Sequence, residues 1–151
     1  MAITQAMATS FKVEILDGYH NFGIAPVRAT GVADTFKIAL YTSAATLDST
    51  TTAYTTSNEV ASAGGYTAGG NTLVISDVPN SATGTTAWLS FTNSTWTAAT
   101  ITANGAMIYN STQANKCVAI LAFGGDKTST AGDFTIIFPT ANNTSAIIRI
   151  A

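Results

Sequence analysis

Short runs in which hydrophobic and polar residues alternate recur along the chain, and glycine, proline, asparagine and serine separate them. In TFKIALYTS (Thr35–Ser43), Phe36, Ile38 and Leu40 fall on one face and the intervening residues on the other. Alternation with a period of two residues is typical of a β-strand with one buried face. The pattern therefore predicts a strand over Thr35–Ser43.

Seven further runs have the same character, at a spacing of roughly ten residues that is common in sandwiches and barrels. With no long helical pattern between them, they predict an all-β, mainly antiparallel, single-domain fold of about eight strands. Its form would be a β-sandwich or a jelly-roll-like barrel with a short N-terminal helix or arm. The run CVAILAF is apolar on both faces, which predicts a central strand covered on both sides. The seven runs are Thr72–Val78, Thr86–Thr92, Thr95–Thr102, Gly105–Ser111, Lys116–Gly124, Asp133–Pro139 and Ser145–Ala151.

The N-terminal segment has a different pattern from the strands. Its hydrophobic residues between positions 11 and 15 alternate as in a strand, but Met7, Phe11 and Ile15 also recur at helical spacing. Ser10 offers an N-cap and Gly18 offers a C-terminal stop. A short helix is the favoured interpretation, and a strand is the alternative.

The change of pattern divides the chain into an N-terminal helix or arm at residues 1–22 and one β domain at residues 23–151. A loop is expected over Asn21–Asp34. The apolar face of the helix would pack either against a neighbouring subunit or against the core of its own domain. Contact with a neighbour is favoured. The candidate interface residues are Met7, Phe11, Ile15, Leu16, His20 and Phe22.

Charged residues make up only 9% of the chain, and the net charge is −2. Such a surface has no basic patch, so neither nucleic acid nor an acidic membrane is an expected partner. No apolar run approaches the ~18 residues that a membrane span requires. The first residues, MAITQAMATSFK, lack the features of a secretory signal, so synthesis in a cytoplasm is expected. A weakly charged surface suits a protein that packs against partners.

Residues with catalytic or metal-binding chemistry are scarce. His20 is the only histidine, and Cys117 lies inside an apolar run where a thiol is normally inert. A Ser–His–Asp triad stays open, although no GxSxG motif places its nucleophile. Asp126 and Asp133 bracket GDKTSTAGD, which would be a hairpin loop or, less favoured, part of a calcium site. We therefore expect no enzyme, no catalytic residue, no metal site and no cofactor.

The glycine-rich stretch EVASAGGYTAGGNTLVIS (Glu59–Ser76) resembles a phosphate-binding loop only superficially. A Walker loop needs a lysine and a following helix, whereas this stretch lacks lysine and continues into a strand-like run. Glycine also permits turns and close contacts between backbones. A loop or hairpin connection is therefore the favoured interpretation.

Aromatic residues raise the alternative of a carbohydrate-binding module, because sugars stack on exposed rings. The same number of aromatic residues is also ordinary in cores and interfaces, which is the favoured interpretation. The residues in question are Tyr41, Tyr54, Tyr66, Trp88, Trp96 and Tyr109.

Several stretches together resemble small virion structural proteins of tailed bacteriophages. They are AITQAMATSFKVEILDGYHNF, TFKIALYTS, GGYTAGGNTL, TITANGAMIYNS, DKTSTAGDFTIIFP and AIIRIA. The resemblance implies a capsid decoration (cement) protein that is made in the bacterial cytoplasm and binds the major capsid protein on the outside of the head. It also favours a homotrimer. The alternatives are a tail or head-fibre component and a carbohydrate-binding β module.

Overall fold

The computed structural model describes residues 2–23, 33–80 and 84–151, with the backbone alone at 77–80. Most of the loop expected over Asn21–Asp34 therefore lies outside the described residues. The elements are β1 (Ala6–Met7), α1 (Thr9–Leu16), β2 (Phe36–Tyr41), β3 (Asn71–Thr72), β4 (Ile75–Asn80), β5 (Ala87–Phe91), β6 (Ser94–Asn110), β7 (Lys116–Ile136) and β8 (Ile148–Ile150).

These strands form two antiparallel sheets. One has five strands in the order β1-β7-β6-β2-β3, and the other has three in the order β4-β5-β8. The all-β, antiparallel class with one short helix is thus confirmed, whereas the sandwich or barrel form stays a prediction. The run CVAILAF forms part of β7, and its residues Cys117–Leu121 are buried as predicted.

The largest departure from the sequence prediction is a long hairpin made by β6 and β7. Two predicted strands, Thr95–Thr102 and Gly105–Ser111, are one strand here, and Lys116–Gly124 continues through to Ile136. The predicted hairpin loop at GDKTSTAGD is wrong, because Lys127 pairs with Ala103 within this ladder. Hydroxyl pairs across the two strands explain why a Thr-rich, Gly-rich stretch stays extended: the Thr102 and Thr128 oxygens lie 3.1 Å apart.

The run predicted as one strand at Thr72–Val78 is divided between the two sheets. β3 pairs with β2 in the large sheet, and β4 pairs with β5 in the small one. The alternation of hydrophobic and polar residues does not show where the chain passes from one sheet to the other. That point depends on which strand each half of the run pairs with.

β2 matches its predicted position but not its predicted exposure. Both of its faces are buried, including Ala39 and Tyr41, which the alternation assigned to the outer face. The loop between β2 and β3, which contains the glycine-rich stretch, contacts both residues: a Cβ on Gly70 would lie 2.8 Å from Ala39 Cα, and Tyr41 OH donates to Thr55 O.

The helix is confirmed, but its N-cap is not the predicted residue. It begins after Ala8 with no side-chain cap, and the Ser10 hydroxyl lies inside the helix, buried and without a hydrogen-bond partner among the described residues. Gly18 stops the helix as predicted. Its φ is 74°, and Tyr19 N–H donates to Glu14 O at 2.9 Å, which is the hydrogen bond of a Schellman motif.

The N-terminal segment packs against the large sheet. Met7 pairs with Ala119 in β7, and Ala8 N–H donates to Val118 O at 3.1 Å. Phe11 is fully buried in the same hydrophobic cluster as the strands. The helix therefore contributes to the core of its own chain.

Candidate interaction site

A buried polar cluster joins α1 to the start of β7. Glu14 accepts hydrogen bonds from Lys116 Nζ at 2.6 Å and from His20 Nε2 at 2.7 Å. The Glu14 side chain is 9% exposed and that of His20 is 0% exposed. The helix thus presents a carboxylate to the interior of the protein.

Asn110 fixes the tautomer of the His20 ring. Its Oδ1 accepts from Thr112 N–H at 3.1 Å, so its Nδ2 is the group that faces His20 Nδ1 at 3.0 Å. The imidazole Nδ1 must then be the acceptor, and Nε2 carries the proton donated to Glu14. Both ring nitrogens of His20 are engaged inside the protein, so this histidine does not offer a base to a substrate.

Glu14 and Lys116 form an ion pair within the cluster. Burial by itself raises the pKa of Glu14, but the hydrogen bonds from Lys116 and His20 and the Lys116 charge outweigh it and hold the pKa below its ordinary value. The hydrogen bond to Glu14 raises the pKa of Lys116. These features describe a structural ion pair.

Cys117 is fully buried next to this cluster in the chain. Burial, with a smaller contribution from the Glu14 charge, raises the pKa of its thiol to about 12. A thiol in this state is a poor nucleophile.

The two aspartates that bracket GDKTSTAGD bind separate protein groups. Asp126 accepts from Asn104 Nδ2 at 2.8 Å, and Asp133 accepts from Ala98 N–H at 3.2 Å. Within residues 2–23, 33–80 and 84–151, no three His, Cys, Asp or Glu side chains come together as metal ligands would.

The glycine-rich stretch lies against the edges of β2 and β6. Thr100 N–H donates to Gly64 O at 2.7 Å. A Cβ on Gly70 would lie 1.8 Å from Ile38 O, and its φ is +66°. The glycines therefore permit close backbone contact, which agrees with the interpretation as a connecting loop.

Glu59 holds this loop in place. Its carboxylate accepts hydrogen bonds from Tyr54 OH, Tyr66 OH and Gly69 N–H, each at 2.6 Å. Burial, together with Glu59, raises the pKa of both tyrosines. The loop is thus fixed by a carboxylate that uses protein donors on both oxygens.

The aromatic residues proposed for sugar stacking do not form an exposed platform. Most of them are buried, and Tyr54 stacks on Tyr109 with ring centroids 4.6 Å apart. Trp88 and Tyr54 are half-buried, while the buried members are Tyr41, Tyr66, Trp96 and Tyr109.

An open groove of about 520 Å³ lies between α1 and β8. Leu16 is 87% exposed there, and Ile150 is 49% exposed although it shares a face of β8 with the buried Ile148. On this face of β8 the described residues thus cover Ile148 but leave Ile150 half-exposed. The residues that define this α1–β8 groove are Met7, Lys12, Ile15, Leu16, Arg149, Ile150 and Ala151.

The candidate interface residues separate into two groups. Met7, Ile15 and Leu16 line the α1–β8 groove, so an interface through them stays a prediction. Phe11 and Phe22 are core residues, and the His20 side chain is fully buried. These three side chains pack inside their own chain, which corrects the prediction that they lie at an interface.

The sequence analysis missed Lys12, Arg149 and Ile150 as members of the groove. The available signal was the alternation in the last run, SAIIRIA, which places a cation between two isoleucines. The pattern could indicate a strand but not that one of its edges would be open.

No family model, curated protein or solved structure matches the chain. No helix within the described parts of the chain is long and apolar enough to cross a bilayer.

Proposed function

We propose that this chain is a structural protein of a tailed-phage particle, specifically a decoration protein that binds the outer surface of the assembled head and stabilises it. Its partner is the major capsid protein, and the chain is made in the bacterial cytoplasm and acts as a homotrimer on the virion. The resemblance described above supports the class of particle. No catalytic residue is assigned.

The observation that carries the proposal is the α1–β8 groove. The Leu16 side chain is 87% exposed and lines this groove together with the half-exposed Ile150. Covering such a side chain contributes roughly 1.5–3 kcal/mol to association. Apolar side chains exposed next to each other favour an attachment site, whereas apolar residues exposed singly are ordinary on a surface.

Binding to heads tests the proposal. Purified heads that lack this chain, from the phage that encodes it, are incubated with labelled protein, and bound copies are counted after sedimentation. We expect hundreds of bound copies per head. Light scattering of the free protein should give the mass of a trimer. A handful of copies, all at the tail, would instead indicate the tail or fibre alternative.

Leu16→Asp should abolish binding, because it places a charge in the apolar contact. Ile137→Asp is the matched control: Ile137 is 75% exposed and lies outside the groove. If both variants bind heads like the native chain, the α1–β8 groove is not the attachment site. If the native chain does not bind heads at all, the decoration function is wrong.

A further inference from the structure

Two end strands contribute residues to the α1–β8 groove. β1 is the end strand of the large sheet and pairs only with β7, and β8 is the end strand of the small sheet and pairs only with β5, among the described residues. Met7 of β1 and Arg149 of β8 line the same groove. The end strand of a sheet can pair through its free edge with an extended chain.

The α1–β8 groove is lined by residues of β8 and by none of the described residues of β5. Residues of β5, including Trp88 and Leu89, line the neighbouring cavity of about 300 Å³ but not this groove. An extended segment in the groove would therefore lie next to the free edge of β8.

Two cationic side chains line the groove, although the net charge of the chain is −2. Lys12 and Arg149 both line it, and no acidic side chain does. Neither cation forms an ion pair within the described residues, and Arg149 Nη1 donates only to the Thr144 carbonyl. The groove thus combines two available cations with the apolar side chains of Leu16 and Ile150.

We propose that the α1–β8 groove binds an extended segment of a partner protein that carries Asp or Glu among apolar residues and adds as a strand to β8. Carboxylates of that segment pair with Lys12 and Arg149, and its apolar side chains cover Leu16 and Ile150. A second copy of this chain is a poor occupant through the same groove, since the two-fold contact would bring like charges together. The assignment of this segment to a capsid protein rests on the proposed function. Its acidic and apolar composition is inferred from the groove alone.

The test uses a yeast-displayed library of random twelve-residue peptides, selected against the full-length protein. We expect enrichment of peptides in which acidic residues stand among valine, isoleucine, leucine or phenylalanine. On binding such a peptide, the backbone amides of β8 should gain protection from hydrogen exchange. This readout separates strand addition from a loose electrostatic contact.

Charge reversal then tests the contacts. Arg149→Glu and Lys12→Glu are each expected to weaken the binding of an enriched acidic peptide about tenfold, since an attraction becomes a repulsion. Lys127→Glu is the matched control and should change affinity less than about twofold, because this lysine lies on β7 outside the groove. Because Lys12 is exposed on the helix, its variant remains informative if Arg149→Glu impairs folding.

The proposal is overturned if no peptide is enriched, if both reversals leave affinity unchanged, or if β8 amides gain no protection in the complex. These results are distinct from failure of the decoration function. Peptide binding without head binding keeps the strand-docking inference and removes the phage assignment. Head binding without enrichment of any peptide keeps the phage assignment and removes the strand-docking inference.

Discussion

Replacing Glu14 by glutamine should destabilise the fold by about 2 kcal/mol at neutral pH, because charge-assisted hydrogen bonds are worth about 1.5–3 kcal/mol each. Two such bonds, from Lys116 and His20, end on this buried carboxylate. The loss stays below the sum because the glutamine oxygen still accepts from one donor. In addition, the Lys116 side chain is 29% exposed and can turn to water.

Urea unfolding followed by circular dichroism measures this loss, and the melting temperature should fall by about 4–8 °C. Asp17→Asn is the control on the same segment; this exposed residue should change stability by less than about 0.5 kcal/mol. A Glu14→Gln variant as stable as the native chain would refute the view that the cluster holds α1 to β7.

The pH dependence gives a second check with a fixed sign. The pKa of Glu14 is lowered in the folded chain, so its stabilisation is present above the ordinary carboxyl pKa and is lost as pH falls through the folded value. The difference between native and Glu14→Gln should therefore shrink between about pH 5 and about pH 2. A difference that is constant over this range would contradict the assigned charge of Glu14.

Two other perturbations probe the loop and the core. Gly70→Ala should lower the free energy of unfolding by about 2–5 kcal/mol, because the added methyl group meets Ile38 O and the φ of Gly70 is positive. Gly124→Ala has open space around the added methyl group and should lower it by only about 1 kcal/mol. Equal melting temperatures for the two variants would contradict the close backbone contact at Gly70. Cys117 should react with Ellman's reagent on the order of a thousandfold more slowly in the folded protein than in urea, because burial raises the pKa of its thiol. Rapid labelling of the folded chain would show that the thiol is accessible.

The amino-acid sequence by itself determined the class of fold and several element positions. Alternation at Thr35–Ser43 and Thr86–Thr92 located β2 and β5 to within two residues at each end. Gly18 marked the end of α1 because its backbone conformation favours glycine. These features depend on local periodicity and backbone sterics, which a short stretch of sequence carries.

Tertiary structure decided what local patterns do not encode. The continuity of β7 through GDKTSTAGD arises from pairing with β6, and the burial of Glu14 depends on Lys116, which is 102 positions away. The α1–β8 groove brings together residues of β1, α1 and β8, which lie at opposite ends of the chain. Pairing partners and uncovered edges depend on residues distant in sequence, so only the folded chain could place Lys12, Arg149 and Ile150 on one surface.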